Sequence, residues 1–434
     1  MKQNKNDHRE IWVFADWLGL DGPLLMGILS CTLARRKEVF SFEYDQKWLL
    51  SKEKFMIDPD LQFFPGQQFL REDKTNFGIF MDSSPDRWGT KLMIRREAID
   101  ARISSRPVRT LQNSDFLLGV YDQHRMGALR FKLDVDGPFL DDDQNMPAPP
   151  MTALRALEAA SKKLEDDGNL DDPNYSKWLS MLIAPGGSLG GARPKSGVIN
   201  TDGTLWIAKF PSGNDDYNLG AWEWVAAQLA QQCRIEVPEH FYRKFSGKHC
   251  TFITKRFDRA PAEKRIHFAS AMTLLGQQDG ADHASGISYL DLAEFIIRHG
   301  ANPQQDLEQL WRRIVFNICI SNTDDHLRNH GFLLSDKGWI LSPAYDVNPV
   351  PSGSGLTLNV SEDDNSLDLE LAIDVADYFR LDKKHAIEIA TQIAKVVGEW
   401  SAVAEEAEIS KGEREMMRPA FAAAIDFLDK QLAE

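Results

Sequence analysis

The pattern of apolar residues changes near residue 286, and this change limits the folds that are open to the chain. Before residue 286, alternating apolar and polar residues predict several short β-strands. Beyond it, apolar residues recur mainly every three or four positions, which predicts helices. A sheet-rich part followed by a helical part is typical of two lobes that enclose a cleft. We therefore predict an α+β fold with a mixed-sheet N-lobe and a helical C-lobe.

A break in composition separates a further domain at the N-terminus. Residues 134–150 (DVDGPFLDDDQNMPAPP) are first acidic and then rich in proline, which disfavours both helix and sheet. The sequence therefore predicts a small α/β domain at 1–135, a linker at 136–150, the N-lobe at 151–285 and the C-lobe at 286–434. Within the first domain, residues 85–103 predict a helix, and residues 117–131 predict two strands around a polar turn.

Charge and cysteine content narrow the classes of function. Fifty Lys and Arg residues against 65 Asp and Glu residues give a net charge of −15, which opposes binding of nucleic acid or anionic membranes by the whole surface. The four cysteines form no CxxC pair, so the pattern of a disulfide scaffold or a structural zinc site is absent. The N-terminus is polar, and the apolar stretch at 22–34 is too short to span a bilayer. We expect a cytoplasmic protein that does not bind membranes.

Glycines are concentrated in the segment GGSLGGARPK at 186–195. Glycine allows backbone N–H groups to approach phosphate oxygens closely, and Arg193 and Lys195 add positive charge. The segment is not a Walker A loop, because Pro194 precedes the lysine where that motif has glycine. A glycine-rich segment alone also fits a turn or a linker. The residues that follow it are therefore needed to indicate whether it binds phosphate.

Lys209 stands among apolar residues in the predicted strand LWIAKF. Burying a lysine without a negative partner is costly, although a lysine on an edge strand can also extend to water. Lys209 follows the glycine-rich segment across one hairpin, so it can reach phosphates bound there. Glu223 on the next predicted helix, 218–233, is a candidate partner, as in the Lys–Glu pair of protein kinases. A glutamate on a helix face is also often simply solvated.

Asp324 and Asn329 have the spacing of the Asp and Asn in the kinase motif H-R-D-x-x-x-x-N. An aspartate can accept a proton from a hydroxyl group, and an asparagine oxygen can bind the metal ion that bridges phosphates. Their segment follows a predicted helix at 306–321 and precedes a strand at 332–334. Asp346 follows a second hairpin, at the place of the kinase DFG aspartate, where it can bind Mg²⁺. Each residue also fits a polar turn, but their order along the chain favours a protein-kinase-like fold.

Several segments carry a more specific likeness. They are SLGGARPK (188–195), WIAKFP (206–211), KRFDR (255–259), NTDDHLRN (322–329) and SPAYD (342–346). Together they resemble HipA-family serine/threonine kinases, the toxin members of bacterial HipBA-type toxin–antitoxin systems. The small first domain of that family is similar to this chain at 22–27, 40–48 and 119–131. The resemblance thus covers most of the chain, and the segment at 322–329 is its most specific part.

The resemblance implies roles for individual residues. Asp324 would be the catalytic aspartate, and Asn329 and Asp346 would hold Mg²⁺. The hinge that binds adenine through its backbone would consist of Lys255, Arg256 and Phe257. The other contacts with ATP would come from Gly190, Gly191, Ala192, Arg193, Lys195, Lys209, Tyr345, and, at the ribose, Asp258 and His326.

The resemblance also implies an activity and its control. The chain would transfer the γ-phosphoryl group of ATP to a protein hydroxyl, with an aminoacyl-tRNA synthetase such as glutamyl-tRNA synthetase as the suggested target. Ser188 matches the serine that family members autophosphorylate, which ejects the loop and silences the kinase. A HipB-like helix-turn-helix antitoxin is the implied partner, and the acidic composition fits contact with operator DNA that is made mainly through this partner.

Two other functions fit parts of the sequence. A catalytically degenerate kinase fold would act as a co-repressor that joins an antitoxin to operator DNA, without ATP- and Mg²⁺-dependent stabilisation and without phosphate on Ser188. Alternatively, the metal centre of a hydrolase would consist of Asp324, Asp325, His326 and His330. The sequence contains neither a HExxH motif nor a cysteine partner for such a centre. The complete set of kinase residue types favours the kinase.

Overall fold

The structure is a computed structural model, and it describes residues 8–35, 37–70, 74–140, 148–165, 174–183, 191, 193–245 and 247–433. The chain divides into two compact units. Unit 1 comprises Met1–Ala208 and Asp258–Ala269, and unit 2 comprises Lys209–Phe257 and Ser270–Glu434. The domain boundaries predicted from the sequence differ from this division and remain predictions. None of the helices in the described ranges has the length and apolar character that crossing a membrane requires.

Strands are concentrated in the first part of the chain and helices in the last part, as the sequence predicts. The strands are β1 (His8–Ala15), β2 (Leu24–Ala34), β3 (Lys37–Tyr44), β4 (Gln68–Phe69), β5 (Leu129–Lys132), β6 (Lys195–Ile199), β7 (Leu205–Lys209), β8 (His240–Arg243), β9 (Thr251–Lys255), β10 (Phe268–Ser270), β11 (Gly331–Ser335) and β12 (Gly338–Leu341). The helices are α1 (Gln46–Leu50), α2 (Gly78–Asp82), α3 (Arg87–Ile103), α4 (Asn113–Leu118), α5 (Leu154–Glu165), α6 (Tyr175–Ile183), α7 (Leu219–Gln232), α8 (Ala271–Leu274), α9 (Tyr289–His299), α10 (Pro303–Cys319), α11 (Leu369–Asp374), α12 (Lys383–Gly398), α13 (Trp400–Glu406), α14 (Lys411–Met417) and α15 (Ala422–Ala433).

An antiparallel sheet forms the centre of unit 1. Its strands lie in the order β4-β3-β2-β1-β5, and the register places Leu29 between Ile11 and Phe42. Because side chains that face each other across paired strands point to the same side, these three residues share one face of the sheet. All three are completely buried, so this face forms the core of the N-terminal region.

Two predictions for this region have different outcomes. The helix predicted at 85–103 is α3, which begins after Asp86, whose carboxylate accepts a hydrogen bond from the N–H of Gly89 at 2.7 Å. The prediction of two strands at 117–131 is wrong for the first strand, because α4 extends to Leu118 and β5 begins only at Leu129. A capping box at the start of α4 stabilises a helix there, and these local hydrogen bonds outweigh the alternating apolar pattern.

Helix α10 runs through the core of unit 2. Pro303 occupies its first turn, where the missing N–H costs nothing, and every residue from Leu310 to Cys319 is buried. A short loop follows and leads into the antiparallel hairpin β11–β12, in which Phe332 lies opposite Leu341. The helix and the strand predicted on either side of this loop are therefore present. The loop itself is anchored at both ends by buried structure.

Helix α7 packs against two strands and a C-terminal helix of unit 2. Strands β8 and β9 pair antiparallel, and α7 packs on both of them and on α13. Helices α14 and α15 are separate, because α14 ends at Met417 and α15 begins only at Ala422. Pro419 lies between them, and proline removes a hydrogen bond from a helix interior.

Candidate active site

The ammonium group of Lys209 lies between two carboxylates in unit 2. Nζ of Lys209 donates hydrogen bonds to Oε1 of Glu223 at 2.5 Å and to Oδ1 of Asp346 at 2.7 Å. Burial alone would lower the pKa of Lys209, but the charges of Asp346 and Glu223 outweigh it and raise this pKa above its ordinary value. Three residues that the sequence singled out thus meet at one point, from the end of β7, from α7 and from the segment after β12.

Asp346 has a strained backbone. Its φ of +56° lies in the left-handed region, which costs a residue other than glycine about 1–3 kcal/mol and is concentrated at functional sites. The preceding residue, Tyr345, donates a hydrogen bond from its hydroxyl group to the carbonyl of Arg328 at 2.6 Å. This bond connects the segment of Asp346 to the loop that carries Asp324 and Asn329.

That loop presents its two predicted functional side chains differently. The side chain of Asp324 is 74% exposed, whereas Asn329 is buried. Nδ2 of Asn329 donates a hydrogen bond to the backbone carbonyl of Asp324 at 2.6 Å, which fixes the turn between them. Nε2 of His326 lies 3.7 Å from Oδ1 of Asp324. The loop therefore holds the carboxylate of Asp324 at the surface on a rigid turn.

The side-chain oxygen of Asn329 is a candidate metal ligand. Oδ1 of Asn329 is buried and has no hydrogen-bond partner among the described residues, and such an acceptor is costly to leave unpaired. A cavity of about 20 Å³, with room for about one water molecule, lies beside it. Its lining includes Asn329 together with Tyr345 and Val347, the two neighbours of Asp346. Asn329 and the residues around Asp346 thus border the same space.

Asp325 forms a buried network that sequence reasoning did not find. Its Oδ2 accepts a hydrogen bond from the hydroxyl of Tyr289 at 2.5 Å, and its Oδ1 accepts one from the N–H of Thr357 at 2.6 Å. Nδ2 of Asn317, on α10, donates to the same tyrosine oxygen at 3.0 Å. Burial raises the pKa of Asp325 to about 6. The network fixes the residue next to Asp324, and nothing in the sequence pattern of Tyr289 distinguishes it from an ordinary core residue.

Aromatic rings adjoin the predicted hinge. The ring of Phe257 packs against that of Tyr345 with centroids 5.5 Å apart. Nζ of Lys255 pairs with Oε1 of Glu239 at 3.0 Å, and Arg256 is buried. The side chain of Lys255 is therefore turned to a neighbouring carboxylate, which is compatible with a hinge that uses only backbone atoms.

Asp258 conflicts with the role that was predicted for it. Its side chain is completely buried in unit 1, where Oδ2 accepts hydrogen bonds from the N–H of Gly127 at 2.9 Å and from Nη1 of Arg259 at 2.6 Å. A fully enclosed, ion-paired carboxylate cannot reach a ribose. The role of Asp258 is instead structural, because its carboxylate binds Gly127 and Arg259.

Lys195 also has a partner that the sequence did not indicate. Its Nζ lies 2.8 Å from Oδ2 of Asp86, and both side chains are buried. The indole N–H of Trp88 donates a hydrogen bond to the carbonyl of Lys195 at 3.0 Å. Contact between Lys195 and a phosphate, as predicted, would require this pair to open. Both Asp86 and Trp88 belong to the start of α3, so α3 fixes the beginning of β6.

The structure describes only part of the glycine-rich segment. Gly191 has a φ of +87°, a conformation that favours glycine, and Arg193 is half-buried. The residues Ser188, Gly190 and Ala192 lie outside the described residues. The roles predicted for these three residues, and those of Gly191 and Arg193, stay predictions.

The residues proposed for a hydrolase metal centre do not face one point. Asp325 and His330 are buried, and the ring of His330 lies against the backbone carbonyl of Asp325, whereas the side chain of Asp324 is exposed. Among the described residues, no group of three or more His, Cys, Asp or Glu side chains is arranged to hold a metal ion. The geometry therefore gives this alternative no support.

Comparisons with known proteins give relatives of part of the chain. Residues 187–400 match the family described as HipA-like C-terminal domain. A Haemophilus influenzae protein named "Putative kinase" is 29% identical over 209 residues, which are 42% of this chain and 61% of that protein. A Sinorhizobium fredii protein named "Putative kinase Y4mE" is 26% identical over 181 residues, which are 37% of this chain and 41% of that protein. The matched segments thus span less than two thirds of either relative.

A solved structure resembles nearly the whole chain. It is the HipA toxin–antitoxin complex of Shewanella oneidensis MR-1 with HipB and operator DNA, with a TM-score of 0.62, 18% identity, and coverage of 95% of this chain and 96% of that one. This similarity confirms the predicted kinase-like α+β fold. The family match identifies the part of the chain at 187–400 as a HipA-like C-terminal domain.

Proposed function

We propose that this protein is an ATP- and Mg²⁺-dependent protein serine/threonine kinase of the HipA family. The observation that carries the proposal is the position of Lys209 between Glu223 and Asp346. Kinases use this pairing to hold a lysine where it meets the nucleotide phosphates, next to the aspartate that binds the metal ion. The left-handed backbone of Asp346 is compatible with a functional role, because such conformations are frequent at active sites.

The donor atoms near Lys209 suit Mg²⁺. This ion prefers oxygen ligands and is usually held by one or two protein groups together with phosphates and water. Asp346 would supply a carboxylate oxygen, and Asn329 would supply Oδ1, which has no partner among the described residues. When bound, the ion would neutralise negative charge on the phosphates. Without a cation, one ammonium between two carboxylates leaves a net negative charge that repels ATP.

Asp324 is the proposed catalytic residue. Its exposed carboxylate can receive the hydroxyl group of a protein substrate and accept its proton as the phosphoryl group transfers. The hydrogen bond from Asn329 and the buried network of Asp325 keep the turn rigid. Correct positioning supplies much of the rate in such reactions.

The base and sugar of ATP have fewer candidate contacts. We propose that the backbone of 255–257 binds adenine, with the rings of Phe257 and Tyr345 beside it. His326 remains a candidate for the ribose. Arg193 and the glycines of the segment at 186–195 remain candidates for the phosphates, and Lys195 would join them only after leaving Asp86.

The proposal also includes the partners of the protein and the regulation of its kinase activity, both of which the HipA family suggests. A HipB-like antitoxin would bind the chain and make most contacts with operator DNA, in keeping with the net charge of −15 and with the composition of the related Shewanella oneidensis complex. Autophosphorylation of Ser188 would silence the kinase. The protein substrate would be an aminoacyl-tRNA synthetase, such as glutamyl-tRNA synthetase.

Transfer of radiolabelled γ-phosphate tests this function. The purified chain is incubated with labelled ATP and Mg²⁺, alone and with glutamyl-tRNA synthetase, and labelled protein is measured. We expect the unaltered chain to incorporate labelled phosphate into protein. Asp324→Asn and Asp346→Asn should abolish this incorporation while both variants stay folded. Asp336→Asn, in the exposed turn between β11 and β12, is the matched control and should keep full activity. Full activity in either site variant would contradict the mechanism, and no incorporation by the unaltered chain would favour the co-repressor.

A further inference from the structure

Helix α7 carries Glu223, so the position of this helix decides whether the ion pair with Lys209 can form. In protein kinases the helix that bears the paired glutamate is a point of control for this reason. Within unit 2, three sets of contacts hold α7. They involve the N-terminus of the helix, the ring of Trp222 and the backbone at Gly220.

One oxygen atom of Glu413 binds the start of α7. Oε1 of Glu413 accepts hydrogen bonds from the N–H of Asn218 at 2.8 Å and from the indole N–H of Trp222 at 2.9 Å. The dipole of a helix also favours a carboxylate near its N-terminus. Glu413 lies on α14, so this contact ties α7 to the C-terminal part of the chain.

Two aromatic rings from the C-terminal elements enclose Trp222. The ring of Trp222 is completely buried, with its centroid 6.1 Å from that of Trp400 and 6.2 Å from that of Phe421. The rings of Trp400 and Phe421 stack on each other at 4.4 Å and are nearly parallel. Trp400 begins α13, and Phe421 directly precedes α15. A single side chain of α7 is therefore fixed by two further elements.

The backbone of α7 at Gly220 lies close to the backbone of Cys250. A Cβ atom on Gly220 would lie 2.2 Å from the carbonyl oxygen of Cys250, so only glycine permits this contact. Oδ1 of Asn218 accepts a hydrogen bond from the N–H of Cys250 at 2.7 Å. Cys250 directly precedes β9. Held by β9 and by the C-terminal elements, α7 cannot move away from Lys209 without breaking these contacts.

We propose that Glu413 and Trp222 are positioning residues that hold α7 where Glu223 meets Lys209, which makes the ion pair a fixed part of the fold. This inference rests on the proposed kinase function. Trp222 and Glu223 are neighbours, and successive helical side chains point about 100° apart. Trp222 therefore faces the C-terminal elements while Glu223 faces Lys209, and Glu413 acts on the site only through the helix.

Substitutions on α14 test the role of Glu413. Glu413→Ala removes the acceptor of both hydrogen bonds, Glu413→Gln keeps an oxygen acceptor, and Glu415→Ala is the matched control because Glu415 is exposed on the same helix. Phosphate transfer is measured at varied ATP concentration. We expect Glu413→Ala to lower kcat about tenfold or more with little change in KM. Glu413→Gln should recover most of the rate, and Glu415→Ala should match the unaltered chain.

Repeating the Glu413→Ala substitution in a Glu223→Gln variant shows whether Glu413 acts through Glu223 or by disturbing the fold in general. In the Glu223→Gln variant the ion pair is already lost, so adding Glu413→Ala should change kcat little. A loss by the same factor in both backgrounds would show that Glu413 does not act through Glu223. That result, or an unchanged kcat in Glu413→Ala alone, would overturn the proposal.

Amide hydrogen exchange distinguishes failure of this proposal from failure of the kinase function. If the unaltered chain transfers no phosphate, the kinase function fails, and exchange within α7 decides the structural proposal. Faster exchange in α7 of Glu413→Ala, with α10 unchanged, supports the positioning role. Unchanged exchange in α7 overturns it.

Discussion

Replacing Lys209 by methionine isolates the effect of the ammonium charge, because methionine keeps most of the apolar stem. The two carboxylate oxygens that share Nζ of Lys209 lie at most about 5 Å apart. Two unit charges about 5 Å apart repel by about 3 kcal/mol at an effective dielectric constant of about 20. The same repulsion exists in the unaltered chain, where the attraction of both carboxylates to the ammonium outweighs it. Removing one partner of a buried ion pair costs about 3–5 kcal/mol, so we expect Lys209→Met to lower the free energy of unfolding by that amount when Glu223 and Asp346 are both ionised.

This loss should depend on pH. Repulsion raises the pKa of one carboxyl in the folded variant above its unfolded value of about 4, so the folded state binds a proton that the unfolded chain has released. Stability of the variant then falls as pH rises from about 4 to the raised pKa. In the unaltered chain, the pKa of Lys209 is raised, and its stabilising effect persists throughout this range. The difference between the two proteins should thus be larger at pH 8 than at pH 5.

Urea unfolding followed by tryptophan fluorescence measures the difference at both pH values. Lys337→Met, in the exposed turn between β11 and β12, is the matched control and should change stability little. Adding Asp346→Asn to Lys209→Met removes one of the two repelling charges and should recover most of the loss. Equal losses at pH 5 and pH 8, or no recovery in the double variant, would refute the electrostatic reasoning.

Other substitutions test the buried networks by the same urea unfolding assay. Tyr289→Phe leaves Asp325 without one hydrogen-bond donor, and we expect a loss of about 1–3 kcal/mol, which an unchanged midpoint would contradict. Burial raises the pKa of Asp325 to about 6, so this group makes stability fall as pH rises from 4 to 6. Asp325→Asn should reduce that slope and leave the part that Asp58 and Asp306 contribute, because burial raises their pKa values to about 6 as well. Asp86→Asn leaves the buried ammonium of Lys195 without its charge partner and should cost about 3–5 kcal/mol; a loss typical of exposed pairs would mean that the pair is solvated.

The sequence predicted those helices whose formation depends on the pattern of neighbouring residues. The spacing of apolar residues marked helix α10, and the helical pattern at 85–103 marked α3. The order of Lys209, Glu223 and Asp346 also predicted their meeting, because each belongs to an element whose place in a kinase-like fold is fixed. Sequence order was informative here because the three residues follow the order of the corresponding residues in the kinase pattern.

Contacts between distant segments could not be predicted in the same way. The partner of Lys195 is Asp86, and the carboxylate of Asp258 accepts a hydrogen bond from the N–H of Gly127. No spacing rule connects residues so far apart, and a buried carboxylate has the same sequence signature as one that binds a ligand. The burial of Asp258 therefore emerged only from the folded arrangement, as did the hydrogen bond from the hydroxyl of Tyr289 to Asp325.

Calorimetric titration of ATP into the chain tests the central claim most directly. The claim is that Lys209, Asp346 and Asn329 bind a triphosphate together with a divalent cation. We predict saturable binding of ATP in the presence of Mg²⁺, loss of that binding when Mg²⁺ is chelated, and the same loss in Asp346→Asn. Binding that is equally strong without Mg²⁺ or in Asp346→Asn, or no binding by the unaltered chain, would contradict the account.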